Sequence, residues 1–137
     1  MWYSCGNSWL EWCLAESFGF GPFVYELELD TSRIKFITGL KEFDEFSDEY
    51  GMEREEFFGL PKTTWASHRE YDCINWPKVE SDGFTGIEIN PYLWARRLEG
   101  GMWYYGWDCA SGCVWDANAV KSVKLIARLD RNRVRVR

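Results

Sequence analysis

Apolar and polar residues change their spacing several times along the chain, and each spacing predicts an element. Met1-Trp2-Tyr3-Ser4 reads as a short strand, and Cys5-Gly6-Asn7-Ser8 as a turn whose Asn7 or Ser8 caps a helix from about Trp9 to Glu16. Ser17-Phe18-Gly19-Phe20-Gly21-Pro22 breaks that helix. Val24-Tyr25-Glu26-Leu27-Glu28-Leu29 then alternates apolar and acidic residues as a half-buried strand does, and Arg33 to Ile37 is expected to continue the same sheet. Leu40, Phe43, Phe46 and Tyr50 recur every three to four residues among acidic ones, which predicts an amphipathic helix ended by Gly51. Residues 52–82 are polar and aromatic and predict a loop followed by a short helix at Trp76 to Val79. Gly86 to Ile89 reads as a strand, Tyr92 to Leu98 as a helical turn, Met102 to Trp107 as an aromatic strand, Gly112 to Trp115 as another, and Val123 to Leu129 as the last. The expectation is one α+β domain over residues 1–137, richer in strand than in helix, with small helices on mixed sheets.

Composition narrows the choices. The chain is 46% hydrophobic with nine Trp, more aromatic surface than a core of 137 residues needs, so some rings are expected at a pocket or an interface. No apolar run approaches the roughly 18 residues that span a bilayer, and the start lacks a leader pattern, so no membrane partner and a cytoplasmic location are expected. Charge is uneven: residues 1–116 hold 9 Lys/Arg against 21 Asp/Glu, and residues 117–137 hold 7 against 1. The acidic body argues against nucleic acid as a partner, except through the basic segment 121–137, which reads as a last strand guarded by charges or as a tail. Cys5, Cys13, Cys73, Cys109 and Cys113 are spaced as reduced thiols. Cys109 and Cys113 have finger-like spacing, but with one histidine, His68, and no second close pair, no metal is expected.

Three segments taken together resemble the ADP-ribosyltransferase-like superfamily, in its diphtheria-toxin and poly(ADP-ribose) polymerase branch. Trp2-Tyr3-Ser4 followed by Asn7-Ser8-Trp9-Leu10-Glu11-Trp12-Cys13 is similar to that family's strand, turn and helix. Phe23 to Asp30, with Ile34 and Phe36-Ile37, is similar to its central strand. Ser111-Gly112-Cys113-Val114-Trp115-Asp116-Ala117-Asn118-Ala119-Val120, preceded by Gly86 to Ile89, is similar to its closing strand. The resemblance implies NAD as cofactor. Trp2 and Trp12 would be the faces that hold a pyridinium ring, Ser8 or Ser4 the orienting hydroxyl, and Tyr3 part of the same cofactor-binding strand. Arg96 or Arg97 would meet the pyrophosphate. Ser111 stands where the family has its catalytic Glu, and a hydroxyl lacks the charge that stabilises an oxocarbenium-like transition state. Asp108, three residues earlier, is the candidate replacement. The family's preceding strand, with its His or Arg, has no counterpart here.

Two functions are therefore expected. The first is an NAD-binding ADP-ribosyltransferase-like effector, of the compact phage or bacterial type, that modifies a macromolecule or hydrolyses NAD, with Asp108 or Ser111 at the ribose. The second is a non-enzymatic acidic binder, an anti-defence inhibitor type, that occludes a host protein through its aromatic surface. Beside these stand plainer readings: Trp2, Trp9 and Trp12 as a core cluster, Glu88 as a solvent-facing strand residue, and Cys109 and Cys113 as small buried residues.

Overall fold

The computed structural model describes residues 1–59, 61, 73–99 and 101–129. In chain order its elements are β1 (Trp2–Ser4), α1 (Ser8–Ala15), β2 (Phe23–Leu29), β3 (Ile34–Ile37), α2 (Leu40–Tyr50), β4 (Gly51–Met52), α3 (Arg54–Phe58) and β5 (Cys73–Ile74). They continue with α4 (Trp76–Ser81), β6 (Gly86–Ile89), α5 (Trp94–Arg97), α6 (Met102–Tyr105), β7 (Ser111–Val114) and β8 (Val120–Arg128). The result is a small single-domain α+β protein with mixed sheets and several short helices. His68 and the alternating 133–137 segment lie outside the described residues.

The main sheet has the order β1-β7-β6-β3, antiparallel except for the parallel pair β3/β6. Alternation along each strand gives the sheet two faces. Ile37, Ile87 and Ile89 point to one face, where Phe43, Phe46 and Tyr50 of α2, Val79 of α4 and Tyr104 of α6 complete the main core. Ile34 and Val114 point to the other, joined by Ala119 in a second, smaller core that Tyr3, Leu29 and Val120 flank.

Local signals set the ends of the helices. In α1 the chain turns at Ser17, whose φ of 55° is left-handed, and the Phe18 amide returns to the Cys13 carbonyl at 2.8 Å. That closure lays Phe18 against Trp9 and Trp12, whose own rings stack 5.0 Å apart. Glu42 reaches back from the first turn of α2 and accepts from the amide and hydroxyl of Thr38, both at 2.7 Å, tying the residue before the N-cap Gly39 to the helix. Asn75 caps α4 by accepting from the Lys78 amide at 3.1 Å. Gly51 follows α2 in extended backbone, φ −66° and ψ 148°, and not as a left-handed cap.

Three expectations change. Met102 to Trp107 is not a strand: residues 102–105 form α6, entered through Gly101 at φ 86°. Trp103, Tyr104 and Trp107 follow helical spacing and all reach the main core, while Met102 and Tyr105 stay exposed. A helix thereby resolves the problem of a strand aromatic on both faces, and helix and strand come out about equal. Arg33 to Ile37 does not continue the sheet of β2. Asp30 caps a short turn at Thr31–Arg33 by accepting from the Ser32 amide at 3.0 Å, and this turn delivers the chain into the main sheet. β2 pairs instead with β8 in a separate antiparallel ribbon of two strands. Finally, α3 arises within the segment read as loop.

Candidate functional site

β1, β7 and the start of α1 come together. Trp2 pairs with Cys113, Tyr3 with Gly112 and Ser4 with Ser111, and the Ser8 hydroxyl donates to the Ala110 carbonyl. The side chains of the nominated residues are nevertheless engaged with other groups. The Trp2 ring meets the edge of Trp107 at 5.0 Å, and Trp12 stacks on Trp9, so each ring already has an aromatic neighbour. Ser4 donates to the Gly6 carbonyl at 3.2 Å, and Ser111 to the Cys109 carbonyl at 3.0 Å.

Arg96 and Asp108 are both engaged in ion pairs. Arg96 grips Asp44 of α2 through Nε and Nη2, both at 2.7 Å, a bidentate geometry that fixes α5 against α2. The guanidinium holds the Asp44 carboxyl below its ordinary range. Arg97 donates to Asp108 at 3.2 Å and to the Tyr92 hydroxyl at 3.1 Å, and Tyr92 donates in turn to the Trp107 carbonyl at 2.6 Å. The Arg97 guanidinium also lies over Trp94 and Tyr105, 5.9 and 5.8 Å from their ring centres. Asp108 is thus turned toward a cation and a phenol, which makes this cluster a clasp between α5, α6 and the chain leading to β7.

Sequence reading missed a constellation around Glu88. Tyr3, Gly112 and Glu88 stand in one row across β1, β7 and β6. With no side chain on Gly112, the Tyr3 ring crosses the middle strand and its hydroxyl donates to Glu88 Oε2 at 3.0 Å. A Cβ on Gly112 would collide with that ring and come within 2.8 Å of the Ile87 carbonyl oxygen. Burial, reinforced by the Glu88 carboxylate, pushes the Tyr3 phenol up and the Cys5 thiol up to about 12. Both groups therefore stay protonated near neutrality. A protonated thiol is a poor nucleophile, so the cluster can bind and orient but offers no ready covalent chemistry. In sequence, Glu88 shows only as the polar member of an alternating strand. Nothing local announces that a glycine on the neighbouring strand will seat a tyrosine on it.

An open cleft of about 370 Å³ is lined by Arg33, Glu80, Phe84, Thr85, Trp115 and Asp116 among others, Phe84 and Trp115 packing against the main core. Arg33 and Asp116 face each other there at 3.6 Å. None of the nominated residues lines it. Among the described residues no group of three or more His, Cys, Asp or Glu side chains is placed to hold a metal ion, and no disulfide joins the cysteines.

The largest departure from ordinary packing is the β2/β8 ribbon. Cross-strand pairs Tyr25/Leu125 and Leu27/Val123 form an apolar face, while Glu26/Lys124 and Glu28/Ser122 form the opposite, polar one. At its base Leu29 and Val120 pack on the second core. Beyond the base the apolar row runs out into solvent: Tyr25 is 53% exposed, Val123 56% and Leu125 52%. Every side chain from Lys121 to Arg128 is exposed. Among the described residues no helix is long and apolar enough to cross a membrane. Compared with family models, curated proteins and solved structures, the chain matches none.

Proposed function

We propose that this protein is a non-enzymatic binder of a protein partner, with the β2/β8 ribbon as its docking arm. The observation behind the proposal is the apolar row Tyr25, Leu27, Val123 and Leu125, which starts at the second core and, among the described residues, continues into water without cover. Leaving such side chains half exposed forgoes about 1 kcal/mol each, which burial against a partner would recover. The groups that an enzyme of this size would need free are, in contrast, engaged: Arg96 with Asp44, Asp108 with Arg97, Glu88 with Tyr3.

A second reading, an NAD-dependent ADP-ribosyltransferase-like enzyme, draws support from one observation: Ser4, a candidate orienting hydroxyl, and Ser111, which stands where the family has its catalytic Glu, face each other on neighbouring strands. One experiment separates the two. Titration calorimetry with millimolar NAD, with nicotinamide release followed in the same sample, is expected to show neither heat nor product. Alongside it, the chain and its Val123→Glu/Leu125→Glu variant are immobilised and exposed to cell lysate. Retention of a protein by the parent and not by the equally folded variant supports the docking arm. Equal retention by both, or NAD binding with release, overturns it.

A further inference from the structure

We infer that the free edge of β8 receives an extended acidic segment of the partner as a third strand, an inference that rests on the docking reading above and specifies the partner's chemistry. Among the described residues the ribbon sheet contains only β2 and β8, so one side of β8 has no strand beside it. A two-stranded ribbon is marginal in water, and a third strand is the ordinary route to stability. Strand addition also supplies affinity through main-chain hydrogen bonds that need no preformed pocket.

The chemistry of the added strand can be read from the strand that β8 already accepts. β2 alternates apolar and acidic residues: Tyr25 and Leu27 sit opposite Leu125 and Val123, Glu26 sits opposite Lys124, and Ser122 donates to Glu28 at 3.1 Å. Side chains of a strand stand on the faces of the sheet, so Lys124, Val123 and Leu125 serve a neighbour on either side equally. Lys121, Lys124 and Arg128 place three cations and no anion along β8. A basic strand would meet these cations opposite its own, while a strand alternating apolar and acidic residues would match both faces. The same cations are the usual guard against self-pairing, so this edge is built to select and not merely to stick. A nucleic acid fits less well. Its phosphates would lie one strand away from Glu26 and Glu28 and against the apolar side chains of Val123 and Leu125.

The test uses a free peptide of residues 23–30, the sequence that β8 pairs with inside the chain, labelled and titrated into the full protein with anisotropy as readout. Two controls accompany it: the same peptide with Glu26→Lys and Glu28→Lys, and a single-stranded oligothymidine. The parent peptide is expected to bind, to weaken with salt, and to slow amide exchange at Ser122 to Leu125 while β2 stays protected. The lysine peptide should bind about tenfold more weakly, as one like-charge contact with Lys124 replaces a favourable one and the hydrogen bond from Ser122 is lost. Swapping the internal pair, Glu26→Lys with Lys124→Glu, keeps the ribbon's own pairing and should shift preference toward the lysine peptide. The inference is overturned if no peptide binds, if the lysine peptide binds as tightly, if β2 exchange rises because the peptide has displaced it, if the oligothymidine binds more tightly, or if the protein instead polymerises with concentration through its own β2. If the charge swap leaves partner retention from lysate intact while the Val123→Glu/Leu125→Glu variant abolishes it, the docking arm stands and the acidic strand falls.

Discussion

Ile87 and Ile89 in β6 are sealed beneath α2, α4 and α6, whereas Val123 and Leu125 in β8 stand half exposed, with no described element above them. Both strands are comparably apolar, and both pair along their length. They differ in the elements that neighbour them along the chain. Helices flank the main sheet and fold back on one of its faces. β2 enters through a Gly-Pro run, and the turn at Thr31–Arg33 then sends the chain away to the other sheet, so that among the described residues no helix follows β2 to cover the ribbon. Apolar alternation specifies a strand and a face. It does not specify that something within the same chain will cover that face.

That contrast can be broken from the body's side first. Tyr104 is fully buried and its hydroxyl accepts from the Leu93 amide at 2.9 Å, so Tyr104→Ala should lower unfolding free energy by about 3–5 kcal/mol. A fall in the urea midpoint checks this, and a change under about 1 kcal/mol, well below that cavity cost, would contradict the packing described. Next comes Gly112→Ala, where the new methyl group meets the Tyr3 ring and a backbone carbonyl oxygen. Overpacking of this kind costs about 1–3 kcal/mol, and the Tyr3–Glu88 bond should be lost with it, visible as a shift in the Tyr3 ring resonances.

Smaller still is the Arg96–Asp44 clasp. Because Arg96 depresses the Asp44 pKa in the folded state, the pair stabilises fully above the ordinary carboxylate value of 3.8. That contribution disappears as pH falls through the lower, folded value. The Asp44 side chain is about half exposed, so solvent screening limits the effect to about 0.5–1 kcal/mol. Asp44→Asn should remove this increment at neutral pH and flatten the acid limb of stability against pH. A limb identical to the parent's would contradict the pairing. At the far end, Leu125→Thr on the ribbon should change stability by no more than about 0.5 kcal/mol, since its side chain meets mostly water. A loss of about 2 kcal/mol, the size expected of a buried leucine, would show that the ribbon's apolar face is covered within the chain.

Much of the element list was legible. Phe43, Phe46 and Tyr50 declare α2 by spacing, Glu26 and Glu28 declare β2 by alternation, and the short helix expected at Trp76 to Val79 is α4. The aromatic segment at 102–107 misled because density of rings resembles a strand, while the decisive sign was the spacing of Trp103, Tyr104 and Trp107, with Gly101 before the helix and Gly106 directly after it. The site residues were less legible. Arg96, Arg97 and Asp108 look alike in sequence whether they await a ligand or clasp one another. Only the approach of α5 to α2, and of Arg97 to Tyr92, decides for the clasp.

What the sequence by itself determined is local: where α1, α2 and α4 form, which strand faces are apolar, and that the acidic residues precede a basic end. These stem from backbone propensity, periodicity and charge, which act over a few residues. The tertiary structure alone decided the pairing of β2 with β8, the seating of Tyr3 across Gly112 onto Glu88, and the exposure of the ribbon. Each depends on contacts between residues some 85 to 105 positions apart, such as Tyr3 with Glu88 and Phe23 with Arg128. Contacts at that separation are set by how all elements fit around the two cores, a condition no short stretch of sequence contains.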